Sequence, residues 1–205
     1  MCGTASGWAK AAFVCAIIGT ALHIAGWATN FWLVYELDPD IGEFKQNMGL
    51  WWVEICNVLS CTLRELDEAW VNDTVEAIRA METITFCMAI FGTVFLGVYI
   101  FVEGTRTRCI AIVLLVIFYI MGICSMIGMI ITIVEAPNPF VVSWSLGLTV
   151  LAFLLFLIAG TLLIPDIFEP REPFSQSDFE GPYQPPDRRG AITPVSMKRN
   201  SADFW

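Results

Sequence analysis

Four long apolar runs alternate with polar segments of very unequal length along this chain. The runs cover residues 8–30, 84–102, 109–134 and 141–164, and no Asp or Glu interrupts any of them. Each is long enough for a helix that crosses a bilayer, which takes roughly 20 apolar residues. A helix satisfies its own backbone polar groups, so four of them can fill the membrane without exposing N–H or C=O to lipid. Of the connections, 31–83 is long, whereas 103–108 and 135–140 are short. Residues 165–205 contain seven prolines, four serines and mixed charge with no helical or strand period, which predicts a disordered tail. The pattern therefore divides the chain into a four-span domain, 1–164, and a tail, 165–205.

The first run exceeds the apolar core of about 7 to 15 residues usual for a secretory signal, and Lys10 alone is a poor charged leader. It is expected to stay as a span. Within 31–83, Phe31 to Tyr35 and Met48 to Val53 are rich in aromatic and β-branched residues and are bounded by Pro39, Gly42 and Asn57, which predicts strands. Cys56 and Cys61 can lie on facing strands of a hairpin with a loop of four residues, Asn57 to Ser60. Such a bridge closes a short loop, so its use is to pin a local conformation rather than to remove much unfolded-state entropy. Asp67 to Met81 has apolar residues at roughly helical spacing and predicts a short helix continuing into the second span.

Composition agrees with the pattern. The chain is 57% hydrophobic and 15% charged, too apolar for an ordinary soluble domain, where about a quarter of residues are charged. With both termini in the cytoplasm, the inner segments hold Lys10, Arg106, Arg108, Arg171, Arg188, Arg189, Lys198 and Arg199, against Lys45, Arg64 and Arg79 outside. That is the expected positive-inside bias. The sequon Asn72-Asp73-Thr74 then faces the side on which Asn72 can be glycosylated, and Cys56 and Cys61 face the oxidising side.

Trp32, Gly49-Leu50-Trp51, Cys56 and Cys61, set in a long first loop on a four-span chain, resemble the W-GLW-C-C signature of the claudin superfamily. That group includes claudins, peripheral myelin and epithelial membrane proteins, and channel gamma subunits. Arg79 within Ala77-Ile78-Arg79-Ala80 resembles the arginine segment before the second span of claudins. Asn138-Pro139 is similar to the Asn-Pro of their second loop, and Trp144 to a tryptophan opening their fourth span. The resemblance covers residues 8–164. It implies a left-handed four-helix bundle carrying a small extracellular antiparallel sheet formed mostly by the first loop, with the cysteines bridged and the Gly-Leu-Trp side chains at the membrane surface, a position that suits indole. The chain departs from claudins in the closeness of its cysteines and in the few residues, Phe140 to Ser143, between Asn138-Pro139 and Trp144.

Charge supplies the functional lead. Between Phe31 and Thr83 stand eleven acidic residues, Glu36, Asp38, Asp40, Glu43, Glu54, Glu65, Asp67, Glu68, Asp73, Glu76 and Glu82, against three basic ones, nearly all of the chain's net charge of −9. Carboxylates around a narrow aqueous path favour cations, and Glu65, Asp67 and Glu68, which follow the second cysteine, are the candidates for selectivity. The plain alternative is a soluble, aggregation-resistant loop.

Other residues carry weaker leads. His23, the only histidine, lies in the first span with no acidic residue in any span to partner it, so a helix-to-helix hydrogen bond is expected rather than a proton site. Cys2 and Cys109 are candidates for palmitate at the cytoplasmic face, with free thiols as the alternative, while Cys15, Cys87 and Cys124 suit packing. The glycines at 19, 26, 92, 97, 122, 128 and 147 suit close helix contact. Asp203, Phe204 and Trp205 form an apolar, carboxylate-ended terminus of the kind PDZ domains accept. Catalytic constellations, a phosphate loop and a metal-ligand set are lacking in the sequence, so neither enzymatic activity nor a cofactor is expected, and no nucleic acid partner.

These readings lead to a multi-pass plasma-membrane protein of a cell–cell junction, such as a tight junction. It is expected to pair with itself or related claudins in cis and in trans, to touch membrane lipid and a PDZ scaffold, and to form or regulate a paracellular barrier or cation path. The alternative is an auxiliary, gamma-type subunit of an ion channel.

Overall fold

The computed structural model describes residues 5–36, 44–66 and 71–168. Among them the apolar runs form four long helices, α1 (Gly7–Ala28), α2 (Asp73–Phe101), α3 (Arg108–Val134) and α4 (Trp144–Leu162), followed by a short helix α5 (Ile164–Phe168). All four regions are long and apolar enough to cross a membrane, which makes the chain a multi-pass, mainly helical membrane protein. Three helices begin at a capping side chain: Ser6 Oγ accepts from Ala9 N–H at 3.0 Å, Asn72 Oδ1 from Val75 N–H at 2.9 Å and Thr107 Oγ1 from Ile110 N–H at 3.3 Å. Each cap satisfies an N–H that the first turn leaves without an intrahelical acceptor.

The helices meet along narrow seams. Buried positions form rows at 9, 12, 16, 19, 23 and 26 in α1, at 78, 82, 85, 89, 92, 96 and 99 in α2, and at 111, 114, 118, 121, 125, 128 and 132 in α3, with Gly97, Ile100 and Gly122 buried beside them. Alternating steps of three and four keep them on one face of each helix. Neighbours run α1–α2–α3–α4 and back to α1. Lipid is as apolar as Leu, so helices here are held by close packing and hydrogen bonds rather than by a hydrophobic push. The α1 seam is accordingly small: Ala9, Ala12, Ala16, Gly19 and Gly26. A Cβ at Gly26 would lie 2.6 Å from Thr149 Oγ1 on α4, and one at Gly122 would lie 2.7 Å from Leu157. Gly147, expected to pack, instead faces open space.

Two boundaries differ from the hydropathy pattern. α2 starts at Asp73, well before the apolar run at Ile84, so from Asp73 on the helix expected over Asp67 to Met81 is present and runs into the second span, carrying Asp73, Glu76 and Glu82. Asp73 and Glu76 sit in its first turn, where negative charge complements the helix dipole. At the other end, Val141–Val142 is a strand and α4 opens only at Trp144. The reason is pairing: Ser143 N–H donates to Trp32 C=O at 3.0 Å and Ser145 N–H to Phe31 C=O at 3.2 Å, which holds this stretch extended.

The sheet is antiparallel and five-stranded, built from β1 (Leu33–Glu36), β2 (Phe44–Met48), β3 (Trp52–Asn57), β4 (Ser60–Glu65) and β5 (Val141–Val142) in the order β4-β3-β2-β1-β5. Four strands come from the first connection and one from the third. Met48 to Val53 is therefore not one strand: it turns at Gly49-Leu50-Trp51, where Gly49 N–H donates to Trp52 C=O at 2.9 Å. The β3–β4 hairpin has a two-residue loop, Val58-Leu59, rather than the four-residue loop expected, because Asn57 pairs with Ser60. Cys56 and Cys61 are directly opposed and disulfide-bonded, Cα to Cα 4.0 Å.

Deep in the bundle, His23, Glu82 and Ser125 meet from three helices and are almost wholly buried. His23 Nε2–H donates to the Glu82 backbone C=O at 3.2 Å and lies 3.8 Å from its Oε2, to which Ser125 Oγ–H donates at 3.4 Å. The expected helix-to-helix hydrogen bond is present. Its partner is nevertheless an acidic residue, two residues before the apolar run that opens at Ile84. Removing His23 leaves the buried Glu82 carboxyl with Ser125 alone and its backbone C=O without this donor, and a buried polar group short of partners costs more than an apolar replacement of both side chains. His23→Leu is expected to lower unfolding free energy in detergent by about 3 kcal/mol, with His23→Leu/Glu82→Leu recovering most of that loss; equal losses in the single and double variants would refute the coupling.

Candidate functional site at the joint of sheet and bundle

The turn Gly49-Leu50-Trp51 presses into the end of the helix bundle, and each residue does so differently. Gly49 lies on the α1 exit: a Cβ there would stand 2.5 Å from Asn30 Cα and 2.7 Å from Thr29 O. Both are backbone atoms that cannot swing aside. Leu50 is buried with Trp32, Ile78 and Leu146, drawing the residue before β1 together with α2 and α4. Trp51 meets Trp27 edge-on, ring centroids 5.3 Å apart, and Trp27 in turn stacks on Phe86 at 4.6 Å.

Arg79, from the second turn of α2, closes the joint. Its Nε–H donates to Leu50 C=O at 2.7 Å, and its guanidinium carbon lies 5.2 Å from the Trp51 ring centroid, within cation–π range. One cation thus satisfies a turn carbonyl and orients the indole. Trp32 anchors the other side: its Nε1–H donates to Gly26 C=O at 2.7 Å, capping one of the carbonyls left open at the end of α1. The five residues of the sequence signature, Trp32, Gly49, Leu50, Trp51 and Arg79, are thereby one physical unit.

The predicted charge sites separate. Glu65 is exposed at the end of the outer strand β4, all of which is exposed. Asp67 and Glu68 lie outside the described residues, as do Cys2, Asp203, Phe204 and Trp205. Glu36 pairs with Lys45 at 2.5 Å across β1 and β2. Glu54 is half-buried, its Oε2 accepting from Asn47 Nδ2–H at 2.7 Å and Asn30 Nδ2–H at 3.4 Å, and Glu82 is inside the bundle. The acidic surface is thus smaller than the residue count suggests. Asn72 is exposed at the start of α2 and Cys109 is exposed in the first turn of α3.

Several members of the joint escaped sequence reasoning: Trp27, Asn30, Asn47 and Glu54. Asn47 and Glu54 face each other across β2 and β3, which a correct strand register would have revealed. Glu54 also stands near Cys56 and Cys61, but the disulfide ties up both sulfurs, and a metal needs the thiolate. No protein-family model and no curated protein matches the chain.

Gly49→Ala is expected to destabilise the protein by about 1–3 kcal/mol, the usual cost of overpacking, and to release Trp51 from Arg79. Tryptophan fluorescence and thermal melting in detergent check this; a melting temperature equal to wild type would show that the contact with Asn30 is slack.

Proposed function

We propose that this chain is a claudin-type junction protein. Its termini lie in the cytoplasm, its helices coil left-handedly, and its sheet stands outside the cell, where copies associate side by side and across the contact to form or regulate a barrier or a cation-preferring path. The observation that carries this reading is the joint itself, in which Trp32, Gly49, Leu50, Trp51 and Arg79 seat a five-stranded sheet on one end of a four-helix bundle. The three-and-four spacing of the seams supports the left-handed coil, since a seven-residue repeat under-winds helices in that sense.

Orientation is supported by the arginines and by the sheet-end chemistry. Arg106, between α2 and α3, and Arg108, the first residue of α3, lie at the end of the bundle away from the sheet, while the Asn72 sequon and the Cys56–Cys61 bridge lie toward the sheet. Positive charge belongs inside, glycosylation and disulfides outside. Selectivity for cations is assigned to Glu65, with Asp67 and Glu68, which follow it in sequence.

The short connection after α3 favours a second reading, an auxiliary subunit of a channel. Only Glu135 to Ser143 separate α3 from α4, and two of those residues are taken up by β5, which leaves little to reach an opposing cell.

Tagged protein in cells is expected to concentrate at contacts between two expressing cells, and Glu65→Gln/Asp67→Asn/Glu68→Gln is expected to reduce the cation preference of a monolayer's dilution potential. Uniform surface staining with co-purification of a channel would favour the auxiliary role instead, and an unchanged dilution potential would remove the selectivity assignment.

A further inference from the structure

Between the underside of the sheet and the facing ends of α2 and α3 lies a cavity of about 220 Å³. Its apolar floor includes Trp32, Leu50 and Ile78, and its polar wall includes Asn72, Thr132 and Glu135. Position limits what can enter. Glu135 directly follows the apolar run of α3, and Ile78 shortly precedes that of α2, so the cavity sits where lipid headgroups meet the hydrocarbon. Charge limits it further. Glu135 is exposed and, among the described residues, no Lys or Arg lines the cavity, while the C-terminal end of α3 adds its own partial negative charge. Arg79 is held on Leu50 C=O and Trp51.

A cation is therefore the complementary occupant, and its kind can be read from the lining. Quaternary ammonium is recognised by cages of aromatic faces, but among the described residues the aromatic side chain lining this cavity is Trp32, which is only 2% exposed. Oxygen acceptors suit an ammonium that donates hydrogen bonds. The volume is below the roughly 300 Å³ at which pockets begin to enclose whole small molecules, so a headgroup fits while its chains remain in the bilayer.

We propose that this cavity holds the headgroup of an ethanolamine phospholipid, its primary ammonium against the Glu135 carboxylate. The site is independent of whether the protein serves a junction or a channel.

The test equilibrates the full-length protein in neutral detergent with equal amounts of phosphatidylethanolamine, phosphatidylcholine and phosphatidylglycerol of identical chains, and counts retained lipid by native mass spectrometry. The wild type is expected to retain the ethanolamine lipid about three- to five-fold over either competitor, the range of a partly exposed ion pair. Glu135→Gln, at an exposed position, is expected to bring it down to the level of the choline lipid with an unchanged melting temperature. Equal retention of ethanolamine and choline lipids by the wild type, a preference for the glycerol lipid, or an undiminished ethanolamine preference in Glu135→Gln would each overturn the proposal.

Discussion

Trp32 is the residue on which the arrangement of sheet and bundle depends. Its backbone N–H donates to Met48 C=O, its C=O accepts from Ser143 N–H, and its indole N–H donates to Gly26 C=O. One buried residue thereby ties the end of α1, strand β2 and the start of α4. Each bond is worth about 1 kcal/mol net, but leaving a buried donor or acceptor unmade costs more. Because all three groups are satisfied only in one geometry, the direction in which the chain leaves α1 is set, and with it the place of every strand that follows.

The bundle supplies the ground for that joint by being tightly packed at α1. Alanine and glycine seams let α4 approach until Gly26 stands against Thr149, and Thr29 Oγ and Ser145 Oγ hydrogen-bond at 2.8 Å where the two helices meet the sheet. A bulkier α1 would push α4 outward and carry Ser143 and β5 away from β1. The His23–Glu82–Ser125 contact adds a polar lock among α1, α2 and α3, in surroundings where a misplaced charged side chain has no water to turn to. Away from the bundle the constraints relax. β4 is exposed throughout, and the hairpin tip presents Val58 and Leu59 to the surroundings, so the disulfide one residue pair below the tip restrains the least buried part of the fold.

Much of this was legible in the residues. The four spans follow from uninterrupted apolar length, because lipid leaves the backbone few alternatives. Trp32, Gly49, Leu50, Trp51 and Arg79 stood out as a group before any geometry was known. Misreadings cluster where a local signal was overruled by a contact distant in sequence. Met48 to Val53 has strand composition throughout, but Gly49 must pass against Asn30, so the run bends. Val141 and Val142 look like the start of a span, but their partners on β1 draw them into the sheet.

What the sequence determined alone was the class of the protein and its topology of four spans, since burial in lipid depends on the length and polarity of contiguous segments. What only the tertiary structure decided was which polar groups those segments turn inward. Glu82 counts as one more acid of the first loop until the phase of α2 is seen to turn it inward beside His23. Glu135 is an ordinary end-of-helix carboxylate until Trp32, Leu50 and Ile78 are found beneath it. Pairings of this kind depend on helix phase and on approach between elements far apart in sequence, and neither quantity is carried by composition or spacing along a single segment.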